Sequence, residues 1–144
     1  MLLGIPTVIS PDLLKVLAEM GHGDEILLAD ANFPAASHAN RLIRADGHGI
    51  VPLLTAILTL LPLDAYVDHP ATLMQVLPGD PVHTPIWNEY ASVLSRAGAG
   101  TEPFESVERF AFYQRAREAY AVVATGETAL YANIMLRKGV VKES

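Results

Sequence analysis

The sequence predicts an α/β protein: a single compact domain over residues 1–144, with a sheet flanked by helices. Segments of helical periodicity alternate with short apolar runs of strand length along the chain, the pattern that mixed helix and strand layers produce. A chain of 144 residues suits one core, because about 100–200 residues make one domain. Apolar residues make up 51% of it and the mean hydropathy is +0.27, which excludes global disorder.

The elements follow in order. Ser10-Pro11-Asp12 opens the first helix: Ser accepts a backbone N–H as N-cap, Pro presets φ at the first helical position, and Asp meets the positive end of the dipole. Leu13, Leu14, Leu17 and Met20 fall on one face, and Gly21 is expected to stop the helix as a C′ glycine, with His22-Gly23 just beyond. Ile26 to Ala29 reads as a buried strand ending in Asp30, at the edge where open α/β sheets bind ligands. A second helix is expected from Pro52 to about Leu61, apolar nearly all round and therefore sandwiched. Leu73 to Leu77 suits a strand. Thr84-Pro85 opens another helix, with Ile86, Trp87, Tyr90, Val93 and Leu94 at helical spacing and Gly98 as terminator. Residues 97–103, AGAGTEP, form a linker too short to separate domains. After it come a strand over Phe104–Val107, a helix over Phe110–Ala119, a strand over Tyr120–Ala124 and a last strand around Tyr131–Leu136, closed by Lys138-Gly139.

Composition narrows the function. Ten basic against 16 acidic residues leave a net charge of −6 and no basic stripe, which argues against nucleic acid, where phosphate neutralisation dominates binding. The chain has no cysteine, so thiol nucleophiles, disulfides and Cys-ligated zinc are excluded, and a reducing compartment fits. No membrane span is expected: the longest apolar stretch, Gly49 to Leu63, is interrupted by Pro52, Thr55, Thr59 and Pro62 and falls short of the ~20 residues a span requires. The N-terminal MLLGIPTVIS lacks the basic region of a secretory signal. Yet only 18% of residues are charged, where about a quarter is usual. Burial against other subunits accounts for that surface, so a homo-oligomer is expected.

Candidate chemistry rests on histidines, carboxylates, arginines and tyrosines. His22 between two glycines has little side-chain cover, and the negative end of the helix dipole favours a cation there, a good setting for a proton donor. Equally, Gly-His-Gly suits a turn in which the histidine bonds a terminal helix carbonyl. Asp30 either serves a ligand or caps the following turn. His22, Asp24, His38, Asp46 and His48 lie close in sequence but match no metal-ligand spacing, so no metal and no cofactor are expected. There is no G-x-S-x-G elbow, and G-x-G at Gly21 follows a helix, which removes serine hydrolase and dinucleotide readings. Arg109, Tyr113 and Arg115 could form a polar patch, with Arg109 at a helix head where a cation opposes the dipole and needs another partner. Tyr131 and Asn133 would share one face of the last strand through its period of two.

The blocks EMGHGDEI (Glu19 to Ile26), ADANFP (Ala29 to Pro34), IRADG (Ile43 to Gly47), LPLDAY (Leu61 to Tyr66), ERFAFYQRA (Glu108 to Ala116) and TGETALYANIMLRKGV (Thr125 to Val140) occur in this order over nearly the whole chain. Together they resemble the L-fucose mutarotase family, kin to the D-ribose pyranases. The resemblance implies the fucose mutarotase/ribose pyranase-like fold, a cytoplasmic isomerase of carbohydrate metabolism that interconverts the anomers of L-fucose, and assembly into a decameric ring. It also implies His22 as the catalytic histidine, Asp30 as a sugar-binding carboxylate, and Arg109, Tyr131, Asn133 and Asp64 as further substrate contacts. Arg109 stands where the ribose pyranases carry a histidine, which favours the fucose branch. One departure is Tyr120, where the family has Phe ahead of the Val-rich strand. Mutarotation needs acid/base groups and hydroxyl-binding side chains, and no redox group or covalent nucleophile. The rivals are D-ribose pyranase activity and a non-catalytic monosaccharide-binding or regulatory module.

Overall fold

The computed structural model describes residues 1–143; Ser144, the last residue of the expected domain, lies outside them. In chain order the elements are α1 (Pro11–Glu19), β1 (Glu25–Ala29), α2 (Ala35–His38), β2 (Leu42–Ala45), α3 (Ile50–Leu58), β3 (Ala71–Met74), α4 (Ile86–Arg96), β4 (Phe104–Val107), α5 (Arg109–Glu118), β5 (Ala121–Thr125) and β6 (Ile134–Arg137). The six strands form one mixed sheet in the order β2-β5-β1-β6-β3-β4. β1 runs parallel to β5, β5 to β2, and β3 to β4, while β6 is antiparallel to both β1 and β3. Every strand but β6 therefore points the same way. One edge of the sheet collects the carboxyl ends of five strands and the start of β6; the opposite edge collects their amino ends and the end of β6.

Helices cover both faces, which is why β1 is apolar at every position from Ile26 to Ala29. Ile26 and Leu28 join the α1, α3 and α4 side through Leu13, Leu17, Leu53, Ile57, Tyr90 and Leu94. Leu27 and Ala29, one residue out of phase, face the α2 and α5 side with Phe33, Phe112, Ala116 and Met135.

The expected start of α1 is present: Ser10 Oγ accepts from Leu13 N at 3.1 Å with Pro11 at the first position. Its expected end differs. The cap residue Met20 is extended, and the left-handed glycine is Gly23 (φ +88), not Gly21. α3 starts two residues before Pro52 and stops at Leu58, short of Leu61. Its first turn is closed from a distance, Glu127 Oε1 accepting from Ile50 N at 3.0 Å, so Pro52 falls in the first turn where a missing N–H costs nothing. Pro52 and Thr55 remain exposed, so α3 is covered on one side and not sandwiched. β3 covers Ala71–Met74, ahead of the expected Leu73–Leu77. At α4 the side chain of Thr84 makes no cap; the helix is entered through a turn in which Trp87 N meets Thr84 O. The last strand begins only at Ile134, because Tyr131 takes a positive φ of 54°. The short pieces α2 and β2 are additions to the expected set; β2 is an edge strand with one buried residue, Ile43, too little apolar pattern to read.

Candidate functional site

At the carboxyl edge of the sheet, Asp30, Phe33, Arg109, Tyr113, Tyr131 and Asn133 line a cavity of about 200 Å³, with Met74, Leu77 and Leu130 as its apolar wall. Asp30 follows β1 and is 7% exposed. Its Oδ1 accepts from Asn32 N at 3.0 Å and its Oδ2 from Ala132 N at 3.3 Å, while its own N–H donates to Asn133 Oδ1 at 2.8 Å. The carboxylate thus closes the turn at Asn32, as one of its two expected roles has it, and it also lines the cavity. Burial pushes its carboxyl above the ordinary aspartate value; the N–H groups of Asn32, Ala132 and Phe33 oppose this and the charge of Glu127 adds to it.

Tyr131 and Asn133 do not share a strand face. They belong to the turn before β6, and what aims them is an unusual backbone. A tyrosine in the left-handed region is rare and strained unless its surroundings hold it. Here Trp87 Nε1 donates to Tyr131 O at 2.7 Å and Tyr90 Oη to Ala132 O at 2.7 Å, so two aromatic side chains of α4 clamp the turn from beneath. Tyr131 Oη in turn donates to Asp80 Oδ2 at 2.7 Å, a bond that raises the phenol above its ordinary value. Trp87, Tyr90 and Asp80 are absent from the sequence-based candidates. The one available signal was that a buried indole or phenol needs a polar partner.

Arg109 opens α5 with its guanidinium carbon 4.7 Å from the centroid of the Phe110 ring, which supplies the partner the opposed dipole demanded. Among the described residues its Nε is the buried side-chain nitrogen or oxygen left without a hydrogen-bond partner. An unmade charged donor beside a cavity is costly unless a ligand completes it. Arg115 has no part in this cavity. Six residues on along α5, at the other edge, it bridges Glu25 at 2.7 Å and Glu105 at 3.3 Å.

His22 is also at that other edge. It precedes β1 as Asp30 follows it, so five residues of strand at ~3.3 Å each separate them by roughly 16 Å or more. The imidazole does not bond the helix carbonyls; Lys138 Nζ takes Leu17 O and Met20 O instead. His22 Nε2 lies 3.1 Å from Asp64 Oδ1, with the ring 5.4 Å from that of Tyr66. Asp64 is 3% exposed; Oδ1 also accepts from Tyr66 N at 3.0 Å and Oδ2 from Arg137 Nε at 3.0 Å. Burial would raise its carboxyl, but the Tyr66 N–H, His22 and Arg137 outweigh burial and hold it below the ordinary value. Expected as a sugar contact, Asp64 thus lies outside the cavity with both oxygens engaged. Tyr120 touches neither cluster: its hydroxyl donates to Glu19 and its ring carries Arg41 at 4.0 Å.

Residues 3–141 match the RbsD / FucU transport protein family. The chain belongs to this family. Among RbsD / FucU relatives, the chain is 57% identical over 143 residues to the fucose mutarotase of Homo sapiens, covering 95% of this chain and 92% of that protein. It is 52% identical to the L-fucose mutarotase of Actinobacillus pleuropneumoniae serotype 5b, covering 97% of each. The fold matches the crystal structure of the Streptococcus pneumoniae fucose mutarotase in complex with L-fucose at a TM-score of 0.94 and 55% identity, over 98% of this chain and all of that one.

Proposed function

We propose that this protein is a mutarotase that interconverts the α and β anomers of L-fucose by acid/base-catalysed ring opening and reclosure. One observation carries the reading: a buried carboxylate, an unpartnered guanidinium nitrogen and a clamped Tyr131–Asn133 turn converge on one small cavity, in a chain 55% identical to a protein crystallised with that sugar. Vicinal hydroxyls match that donor and acceptor set. The apolar wall of Met74, Leu77 and Leu130 suits the methyl end of a deoxy sugar.

Ring opening moves two protons. The anomeric hydroxyl loses one as C1=O1 forms, the ring oxygen gains one as C1–O5 breaks, rotation about C1–C2 exposes the other face, and the reverse steps close it. His22 supplies the proton to the ring oxygen, Asp30 orients hydroxyls with Arg109, Tyr131 and Asn133, and the anomeric proton leaves through water. The uncatalysed reaction is already quick, so the ~10²–10⁴-fold that positioned acid/base groups supply is sufficient.

The separation of His22 from Asp30 within one subunit supports a shared pocket, completed by His22 of a second copy. Leu77, Phe110 and Leu130 stand 40%, 65% and 51% exposed around the cavity and Tyr66 67% exposed beside His22, apolar surface that such a contact would cover. Joining two different patches is a head-to-tail contact, which closes into rings; the decameric ring implied by the resemblance is one such closure. A cytoplasmic setting is consistent with the lack of cysteine, and among the described residues no helix is long and apolar enough to cross a membrane. The test is exchange NMR on L-fucose anomers, with D-ribose in parallel. Wild type should accelerate anomer exchange of fucose and His22→Ala should not; no rate above buffer for wild type would exclude the enzyme, and equal accelerated rates for both proteins would remove His22 as its proton donor.

A further inference from the structure

We propose that Asp80 is a positioning residue that sets the sugar specificity of the cavity. Through the Tyr131 hydroxyl it holds the turn at Leu77 closed, so that Leu77 forms the wall against the methyl end of L-fucose and rejects the same sugar bearing a hydroxyl on that carbon, L-galactose. This rests on the mutarotase reading above. The turn lies in the connection between β3 and α4, residues 75–85. In Leu77-Pro78-Gly79-Asp80, Asp80 N donates to Leu77 O at 3.0 Å and Gly79 takes a φ of +84°, the pattern of a type II turn with proline and then glycine at its centre.

Both ends of that turn meet one atom. Tyr131 Oη donates to Asp80 Oδ2 at 2.7 Å and accepts from Leu77 N at 3.4 Å. Among the described residues, these are the hydrogen bonds that join residues 76–83 to the rest of the chain. On either side, Gln75 N is tied to Val107 O at 2.8 Å and Thr84 O takes Trp87 N at 3.1 Å. The Tyr131 hydroxyl is therefore where the connection is fastened. The same connection leads into α4, whose Trp87 and Tyr90 hold the carbonyls of Tyr131 and Ala132, so one stretch of chain grips the tyrosine at its backbone and at its tip. Leu77 and Tyr131 line the cavity and Asp80 does not, so Asp80 acts on the sugar only through them. Of the two bonds the one to Asp80 is the shorter, and a carboxylate acceptor makes it the stronger. With its proton committed to Asp80, Tyr131 offers the sugar an acceptor. Leu77 is 40% exposed, so packing alone does not hold it, and without the Asp80 bond it is free to swing out. A hydroxyl set against Met74, Leu77 and Leu130 loses its water partners and gains none; against an open wall it keeps them.

The measurement is the ratio of kcat/KM for L-fucose to that for L-galactose in anomer-exchange NMR, with Kd for both sugars from NMR titration. Wild type should favour fucose about tenfold to a hundredfold, and Asp80→Ala should lower that ratio about tenfold, mainly by gaining on L-galactose. Loss of folded protein scales both sugars alike and cancels in the ratio. Asp80→Asn keeps an acceptor for the phenol and should keep the ratio; in a Tyr131→Phe background Asp80→Ala should change it no further. A ratio near one in wild type, a wild-type ratio in Asp80→Ala, a loss in Asp80→Asn as large as in Asp80→Ala, or a further change in the Tyr131→Phe background would each overturn the proposal. If Asp80→Ala does not fold, Gly79→Val serves in its place, since a β-branched residue does not hold a φ of +84° although a Cβ there meets nothing within 4 Å. The same fall in ratio is expected, and an unchanged ratio overturns the proposal. Wild type that binds fucose over L-galactose, loses that preference in Asp80→Ala and exchanges neither sugar would refute the mutarotase reading and leave Asp80's part standing; fucose exchange with no discrimination would do the reverse.

Discussion

At the residue scale, the cavity depends on side chains that never touch its contents. Tyr131 is held at a positive φ of 54° by bonds to its own and the next carbonyl, from Trp87 and Tyr90. Tyr90 is fully buried, and burial first, then the nearby charges of Glu127, Asp30 and Glu89, push its phenol far above the ordinary tyrosine value, so it stays a neutral donor. Tyr90→Phe leaves the ring packing intact and orphans the Ala132 carbonyl. We expect a stability loss of about 1–3 kcal/mol, read by denaturant unfolding, and a raised KM for fucose as the turn relaxes; an unchanged KM would show that the turn holds without α4.

At the element scale, the two edges of the sheet have different architecture. The carboxyl edge offers loops and a cavity; the amino edge is a tight knot in which chain segments touch backbone to backbone. Gly139 shows how tight. Its N–H donates to Pro62 O at 2.8 Å, and a Cβ there would run into the carbonyl of Leu63 and lie 2.9 Å from Asp64 Cα. Backbone cannot swing aside as a side chain can. Gly139→Ala should therefore cost about 1–3 kcal/mol or more, seen as a lower Tm, and displace Asp64 enough to lower kcat. A variant with wild-type Tm and rate would show that the amino edge yields more easily than its packing indicates.

At the scale of the whole molecule, the shared pocket proposed above would make His22 and the Asp30 cavity two half-sites on different surfaces of a subunit. A chain in which 18% of residues are charged and 51% apolar has surface to spare for the contact that joins them. Complementation checks this: His22→Ala and Asp30→Asn should each be inactive alone, and unfolding and reassembling them together should restore part of the wild-type rate, because some pockets would then draw His22 from one parent and Asp30 from the other. Mixtures as inactive as the parents would place the whole reaction within one chain. Light scattering after size exclusion should give an assembly; a monomer at micromolar concentration would remove the shared pocket.

Much of this was legible in the residues. Ser10-Pro11-Asp12, the apolar β1 and its terminal Asp30 are local signals, set by capping chemistry, by burial on both faces and by strand length, and the structure bears them out. The family blocks also offered His22, Arg109, Tyr131 and Asn133 as candidates, and the structure gathers the last three at the cavity with Asp30. What lay beyond local signals was long-range. The start of α3 depends on Glu127, 77 residues away, and the Tyr131 turn on α4, so helix and strand periodicity misplaced both. Only the tertiary structure decided that His22 and Asp30 stand at opposite ends of one strand, and that Asp64 lies at the histidine end, 3.1 Å from its Nε2. A one-dimensional pattern records which groups are present and which face they take within an element. The distance between groups depends on strand direction and order in the sheet, which arise from the packing of all the elements at once.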